Sequence, residues 1–148
     1  LGKVMGLKFT PRVLAALSLA SGLAAAACAS MSPAALSSDL AGTRWLVQSI
    51  VGGGPSQVRQ AQVEFAPEDR ISGTAGCNRF FGVYEAAAGA IDVRALGSTE
   101  MACESPLMQQ EQVILAVLDK AERYEMQGEQ LVITAEDGRR LVLAPASG

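Results

Sequence analysis

The chain has 148 residues, 49% hydrophobic and 18% charged, which bounds it to one modest globular domain once any targeting segment is set aside. After residue 27 it carries nine basic against fifteen acidic residues, a net charge of −6 that repels nucleic-acid backbones and leaves no basic footprint for them. It contains no histidine, which excludes Ser-His and Cys-His catalysis and any His-containing zinc site, and the two cysteines beyond residue 28 are too few for a Cys₄ site.

Residues 1–28, "LGKVMGLKFTPRVLAALSLASGLAAAAC", begin with Lys3, Lys8 and Arg12 and no acid. They continue with the apolar run Val13 to Ala20 and end in small residues. That is the layout of a secretory signal over 1–27, with an apolar run too short to span a bilayer. Two readings of its end stay open. Ala25-Ala26-Ala27 suits ordinary signal peptidase, giving a soluble periplasmic or secreted protein with a loose thiol at Cys28. Small residues running directly into Cys28 resemble a bacterial lipoprotein box, with Ala25 standing where that pattern favours Leu. Cysteine arithmetic favours the second, since lipidation of Cys28 leaves Cys77 and Cys103 as an even pair. Ala29 after the cysteine is similar to lipoproteins sorted to the outer membrane, facing the periplasm. Residues 28–39 then read as a flexible tether.

From Leu40 short strand-like runs alternate with turn signals. "TRWLVQSIV" (43–51) places Trp45 and Val47 on one face and Leu46 and Ile50 on the other, and "GGGPS" (52–56) ends it. "AQVEFA" (61–66) alternates, with Val63 and Phe65 together, and "PEDR" (67–70) turns it back into "ISGTAG" as a hairpin. "FFGVYE" (80–85) sets Phe81, Val83 and Glu85 against Phe80, Gly82 and Tyr84, and "IDVRAL" (91–96) follows. A helix then starts with Ser105 as N-cap and Pro106 in the first position. Leu107, Ile114, Leu115 and Leu118 form its apolar stripe. The strands "YEMQ" (124–127), "LVITA" (131–135) and "RRLVLA" (139–144) close the chain. This order predicts an α+β fold: a curved antiparallel sheet, a partial barrel of roughly seven to eight strands, packed against one amphipathic helix.

The runs "GTRWLVQSI", "ISGTAGCNRFFGVYE", "LGSTEMACESPLMQQEQVILAVL" and "LVI…LVLAP", in that order, resemble the META domain, the family of heat-inducible HslJ-type envelope proteins. The likeness covers about residues 42–144, within a domain read as 40–146. Its residues here are Trp45, Gly73, Gly76, Cys77, Asn78, Arg79, Phe80, Gly82, Thr99, Met101, Cys103 and Glu111. The resemblance implies no established reaction; the family is linked in general terms to stress tolerance. The fold is also similar to that of small pilot lipoproteins, which implies binding of an apolar ligand or a secretion partner's tail by analogy.

Three readings of Cys77 stand together. A nucleophilic thiol needs a lowered pKa and a base, and only Arg79 or a helix end is at hand. A redox pair lacks the C-x-x-C spacing. A structural disulfide to Cys103, 26 positions on, fits an oxidising compartment. Glu111 falls on the helix's apolar stripe, where a lone carboxylate is costly, so it is expected to pair with Arg79 or with backbone N–H groups near Cys77. As a general acid or base it has no second catalytic carboxylate beside it. Gly73, Gly76 and Gly82 read as bulge or close-approach positions, and Asn78 as a capping residue. Composition and motifs point to no metal and no cofactor. The expectation is a non-enzymatic, monomeric envelope protein with a lipid-held membrane contact, its alternatives a pilot-like carrier and a thiol or acid-base enzyme.

Overall fold

Alternation of apolar and polar residues, cut by Gly-, Pro- and Asp-containing turns, makes eight strands, and the single 3.6-periodic stretch makes the helix. The structure, a computed structural model, describes residues 39–146. The segment read as a signal, Cys28 and the residues up to 38 read as a tether lie outside the described residues. In chain order the elements are β1 (Thr43–Val51), β2 (Ala61–Ala66), β3 (Arg70–Ala75), β4 (Arg79–Ala87), β5 (Ala90–Ser98), α1 (Ser105–Asp119), β6 (Ala121–Gln127), β7 (Gln130–Ala135) and β8 (Arg140–Pro145). All neighbouring strands are antiparallel, and β8 returns to pair with β1, so the predicted curved sheet closes into an eight-stranded barrel.

Strand alternation fills the barrel. Val63 and Phe65 from β2, Ile71 from β3, Phe80 and Tyr84 from β4 and Leu131, Ile133, Leu141 and Leu143 from β7 and β8 all point inward and are buried. The Phe65 and Tyr84 rings meet edge to face, 5.0 Å between centroids. From α1, Ile114, Val117 and Leu118 are fully buried in the same cluster, so the helix stops the end of the barrel where the β1–β2 and β3–β4 loops lie. Each such side chain contributes about 1.5–3 kcal/mol relative to exposure. The outer face carries the ion pairs Arg44–Glu64 and Arg94–Glu85 alongside exposed apolar side chains such as Phe81 and Val83. In the β7–β8 turn Asp137 is held below the ordinary carboxylate value, first by the Arg139 guanidinium and then by the Arg139 backbone N–H. That stabilisation is present above the unfolded-state value and is lost as pH falls through the depressed one.

The structure departs from the sequence reading at two places. A register shift at Gln48, between Val47 and Ser49, turns Ile50 to the side of Trp45 and Val47, where it packs partly buried against the core. The helix begins one residue earlier than expected: Ser105 is its first residue, Glu104 holds the cap position without a side-chain cap bond, and Pro106 still sits in the first turn. The buried stripe is Gln110, Glu111, Ile114, Val117 and Leu118, rotated from the expected one and leaving Leu107 and Leu115 at its margins.

Gly73 shows how tightly the sheet bends. A Cβ there would stand 1.9 Å from the Gln62 carbonyl oxygen and 2.9 Å from the Phe80 ring. Gly73→Ala is therefore expected to cost roughly 3 kcal/mol and lower Tm by more than about 10 °C. Gly128→Ala, in open space at φ +63°, should cost about 1 kcal/mol. Thermal melts of the two variants check the contrast.

Candidate functional site

The residues singled out between 73 and 111 converge where α1 enters the barrel end. Gly76 has φ +126°, and a Cβ on it would stand 2.6 Å from the Gln110 amide nitrogen, so glycine alone fits beneath the helix. The following loop places Asn78 inward at 2% exposure. The Asn78 backbone N–H donates to Glu111 Oε2 at 2.8 Å, and its Nδ2 donates to Glu111 Oε1 at 3.0 Å and to the Met101 carbonyl at 3.1 Å. Its Oδ1 accepts from the Met101 N–H at 2.7 Å and from Thr99 Oγ1 at 2.8 Å. Asn78 thus joins the β3–β4 loop, the segment after β5 and the helix through every polar atom of its side chain.

Glu111, 6% exposed, is the buried charge of this junction, and both its oxygens are bound. The partner is Asn78, through the backbone N–H of the residue after Cys77; the alternative partner, Arg79, is not used. Alternation along β4 sends Arg79 outward with Phe81, Val83 and Glu85, and it is exposed. One residue before Glu111, Gln110 makes a second clamp. Its Nε2 donates to the Ala75 and Arg59 carbonyls, both at 2.8 Å, and its Oε1 accepts from the Arg59 N–H at 2.8 Å. Gln110 was missed in the sequence because a neutral polar residue on an apolar stripe reads as a gap. Its spacing of four from Ile114 and seven from Val117 was the available signal.

Cys77 and Cys103 form a disulfide, with Cα atoms 6.0 Å apart. It ties the β3–β4 loop to the residues before the helix, beside the Asn78 bonds. Thr99 extends the β4–β5 ladder by one step, its N–H donating to the Arg79 carbonyl and its Oγ1 accepting from the Arg79 N–H. Phe80 is buried below Gly73, and Gly82 lets the sheet pass close to the Arg94 carbonyl. Two of the residues lie apart. Trp45 is buried in β1, its indole N–H bound to Thr43 Oγ1 at 2.7 Å. The Met101 side chain is exposed although its backbone is held by Asn78.

The model of the META domain matches residues 38–148. The chain belongs to the META domain family. No curated protein matches it significantly. Among solved structures, the META domain here is similar to an NMR structure of a protein from Burkholderia xenovorans, at 23% identity and TM-score 0.59, covering 74% of this chain and 85% of that one. A second NMR structure matches at 22% identity and TM-score 0.57, over 70% and 89% of the two chains. The crystal structure of a DUF4847 family protein from Bacteroides vulgatus ATCC 8482 matches at 11% identity and TM-score 0.55, over 74% and 96%. At these identities the likeness shows a shared fold.

Chemically the junction is saturated. No buried side-chain nitrogen or oxygen among the described residues lacks a partner. The grooves beside the helix start are lined by Arg59, Gln60, Cys103, Glu104 and Leu107, and by Pro55 to Gln57 with Pro106 and Gln110. Glu111 lines neither. Glu111→Gln keeps one acceptor for Asn78 and turns an NH₂ group against its Nδ2, so the urea midpoint should fall by the equivalent of about 1–3 kcal/mol. Cys103→Ser should cost roughly 3 kcal/mol in the chain-entropy account. A midpoint unchanged in both variants would contradict a structural junction.

Proposed function

We propose that the protein is a non-enzymatic META-domain module of the bacterial envelope, exported by residues 1–27 and held at the outer membrane by lipid on Cys28. In this reading it works as a monomer, by surface binding in envelope integrity or stress tolerance. The observation that carries the non-enzymatic part is the saturation of the junction: both Glu111 oxygens are taken by Asn78, and Cys77 is joined to Cys103. A general acid needs a reachable proton and a nucleophile needs a free thiolate. The filled barrel weighs against an apolar ligand carried inside it.

A second reading, docking of a secretion partner's tail, is favoured by one feature. Phe81 and Met101 are each 55% exposed, near the exposed Arg79, a composition common in interface anchors. The outer surface would then carry the binding.

Fractionation and mass analysis test the proposal. The wild-type protein is expected in the membrane fraction with an acylated N-terminal Cys28, and Cys28→Ala in the soluble fraction. Cys77 and Cys103 should take up maleimide only after reduction. A soluble, unacylated wild-type protein would overturn the anchor, and immediate labelling of Cys77 at neutral pH would reopen the thiol-enzyme reading.

A further inference from the structure

The β5–β6 seam differs from the other strand junctions. Only Ala90 and Arg123 pair across it, joined by the Tyr124 N–H to the Gly89 carbonyl at 2.8 Å. Beside it opens a cleft of about 660 Å³ on the outer face, lined in part by Gly89, Ala90, Arg123, Glu125, Thr134 and Arg140. A register shift between Ala121 and Arg123 turns Arg123 outward, opposite Thr134 of β7, and Thr134 is in turn opposite Arg140 of β8. Two guanidinium-bearing positions therefore flank one hydroxyl in a single cross-strand row, about 10 Å apart at ordinary strand spacing.

These cations are poorly neutralised in a domain of net charge −6. Arg140 makes no ion pair among the described residues, and its neighbour Thr134 makes no side-chain hydrogen bond among them. Arg123 has only Glu122, at 3.9 Å, with both side chains well exposed. The one carboxylate in the cleft wall, Glu125, accepts from Gln127 Nε2 at 2.6 Å. Arg44, Arg94 and Arg139 each have a carboxylate at 3.2 Å or closer, while Arg59, Arg70 and Arg79 also make no ion pair among the described residues. Arg123 and Arg140 are set apart by sharing one cross-strand row beside a cleft.

We propose that the cleft beside the β5–β6 seam is a binding site for a single phosphate group, gripped between Arg123 and Arg140 with the Thr134 hydroxyl donating to it. A guanidinium presents paired N–H donors that match phosphate oxygens, and a hydroxyl between two such forks supplies the remaining donor. The negative charge of the rest of the domain restricts the site to an isolated phosphate rather than a polyanion, and makes binding weaken with ionic strength. The site does not depend on the proposed anchor, though a lipid headgroup is one source of such a group.

The test is an amide-shift titration of the ¹⁵N-labelled full chain in phosphate-free maltoside micelles. One arm adds inorganic phosphate; the other dopes the micelles with phosphatidylglycerol, against a phosphate-free glycolipid. Saturable movement of the Arg123, Thr134 and Arg140 amides with inorganic phosphate supports the site. Movement with phosphatidylglycerol alone supports it with a headgroup as the source. Each arginine replaced should weaken binding about tenfold, so Arg123→Gln with Arg140→Gln should weaken it about a hundredfold. If that pair melts early, Arg140→Gln alone is read the same way. No movement in either arm, equal movement with sodium chloride at matched ionic strength, or movement that survives the substitutions would each overturn the proposal.

Discussion

The helix packs into the core of the barrel at the end where the β1–β2 and β3–β4 loops lie, and a buried carboxylate fixes how it sits there. Glu111 sits on the face of α1 that enters the core, with Ile114, Val117 and Leu118 beyond it. A lone carboxylate at 6% exposure is costly unless its oxygens are hydrogen-bonded. Asn78 supplies both bonds, one from the backbone and one from the side chain, and so specifies where the helix lies against the β3–β4 loop. The requirement propagates. Asn78 must be inward, which needs the turn at Gly76; its remaining atoms hold Thr99 and Met101; and Gln110 secures the β1–β2 loop from the preceding position on the helix.

The local pieces of this fold were legible and the long-range ones were not. Val63 and Phe65 alternate cleanly, so β2 and its inward face could be read directly, and the helix announced itself through Pro106 and its apolar spacing. The pairing of β8 with β1 has no local signal, because it joins residues about a hundred positions apart, and closure of the sheet therefore appeared only as curvature. Ile50 was set on the wrong face because a register shift inserts one extra residue into the period of two. The charge of Glu111 announced that it must be paired. Its partner could be narrowed by the alternation of β4, which turns Arg79 outward with Phe81, but the inward turn of Asn78 depends on tertiary packing.

The same arrangement shapes what the domain can do. Its interior is occupied by aromatic and aliphatic side chains and by the helix, and its buried polar groups are committed to one another. What the domain leaves accessible lies on the outer surface: the exposed Phe81 and Met101 near Arg79, the grooves beside Arg59, and the seam where β5 and β6 barely meet. Arg79 and Met101 belong to the stretches that mark the META resemblance, yet packing accounts only for their backbones. Their side chains are free to contact something outside the domain.

A double-mutant cycle between Asn78→Ala and Glu111→Gln, read by urea unfolding with the disulfide intact, tests the central claim most directly. If the carboxylate–amide junction seats the helix, the two substitutions are strongly non-additive, with a coupling of about 1–3 kcal/mol. Additivity within about 0.5 kcal/mol would contradict it, leaving the helix held by Ile114, Val117 and Leu118 alone.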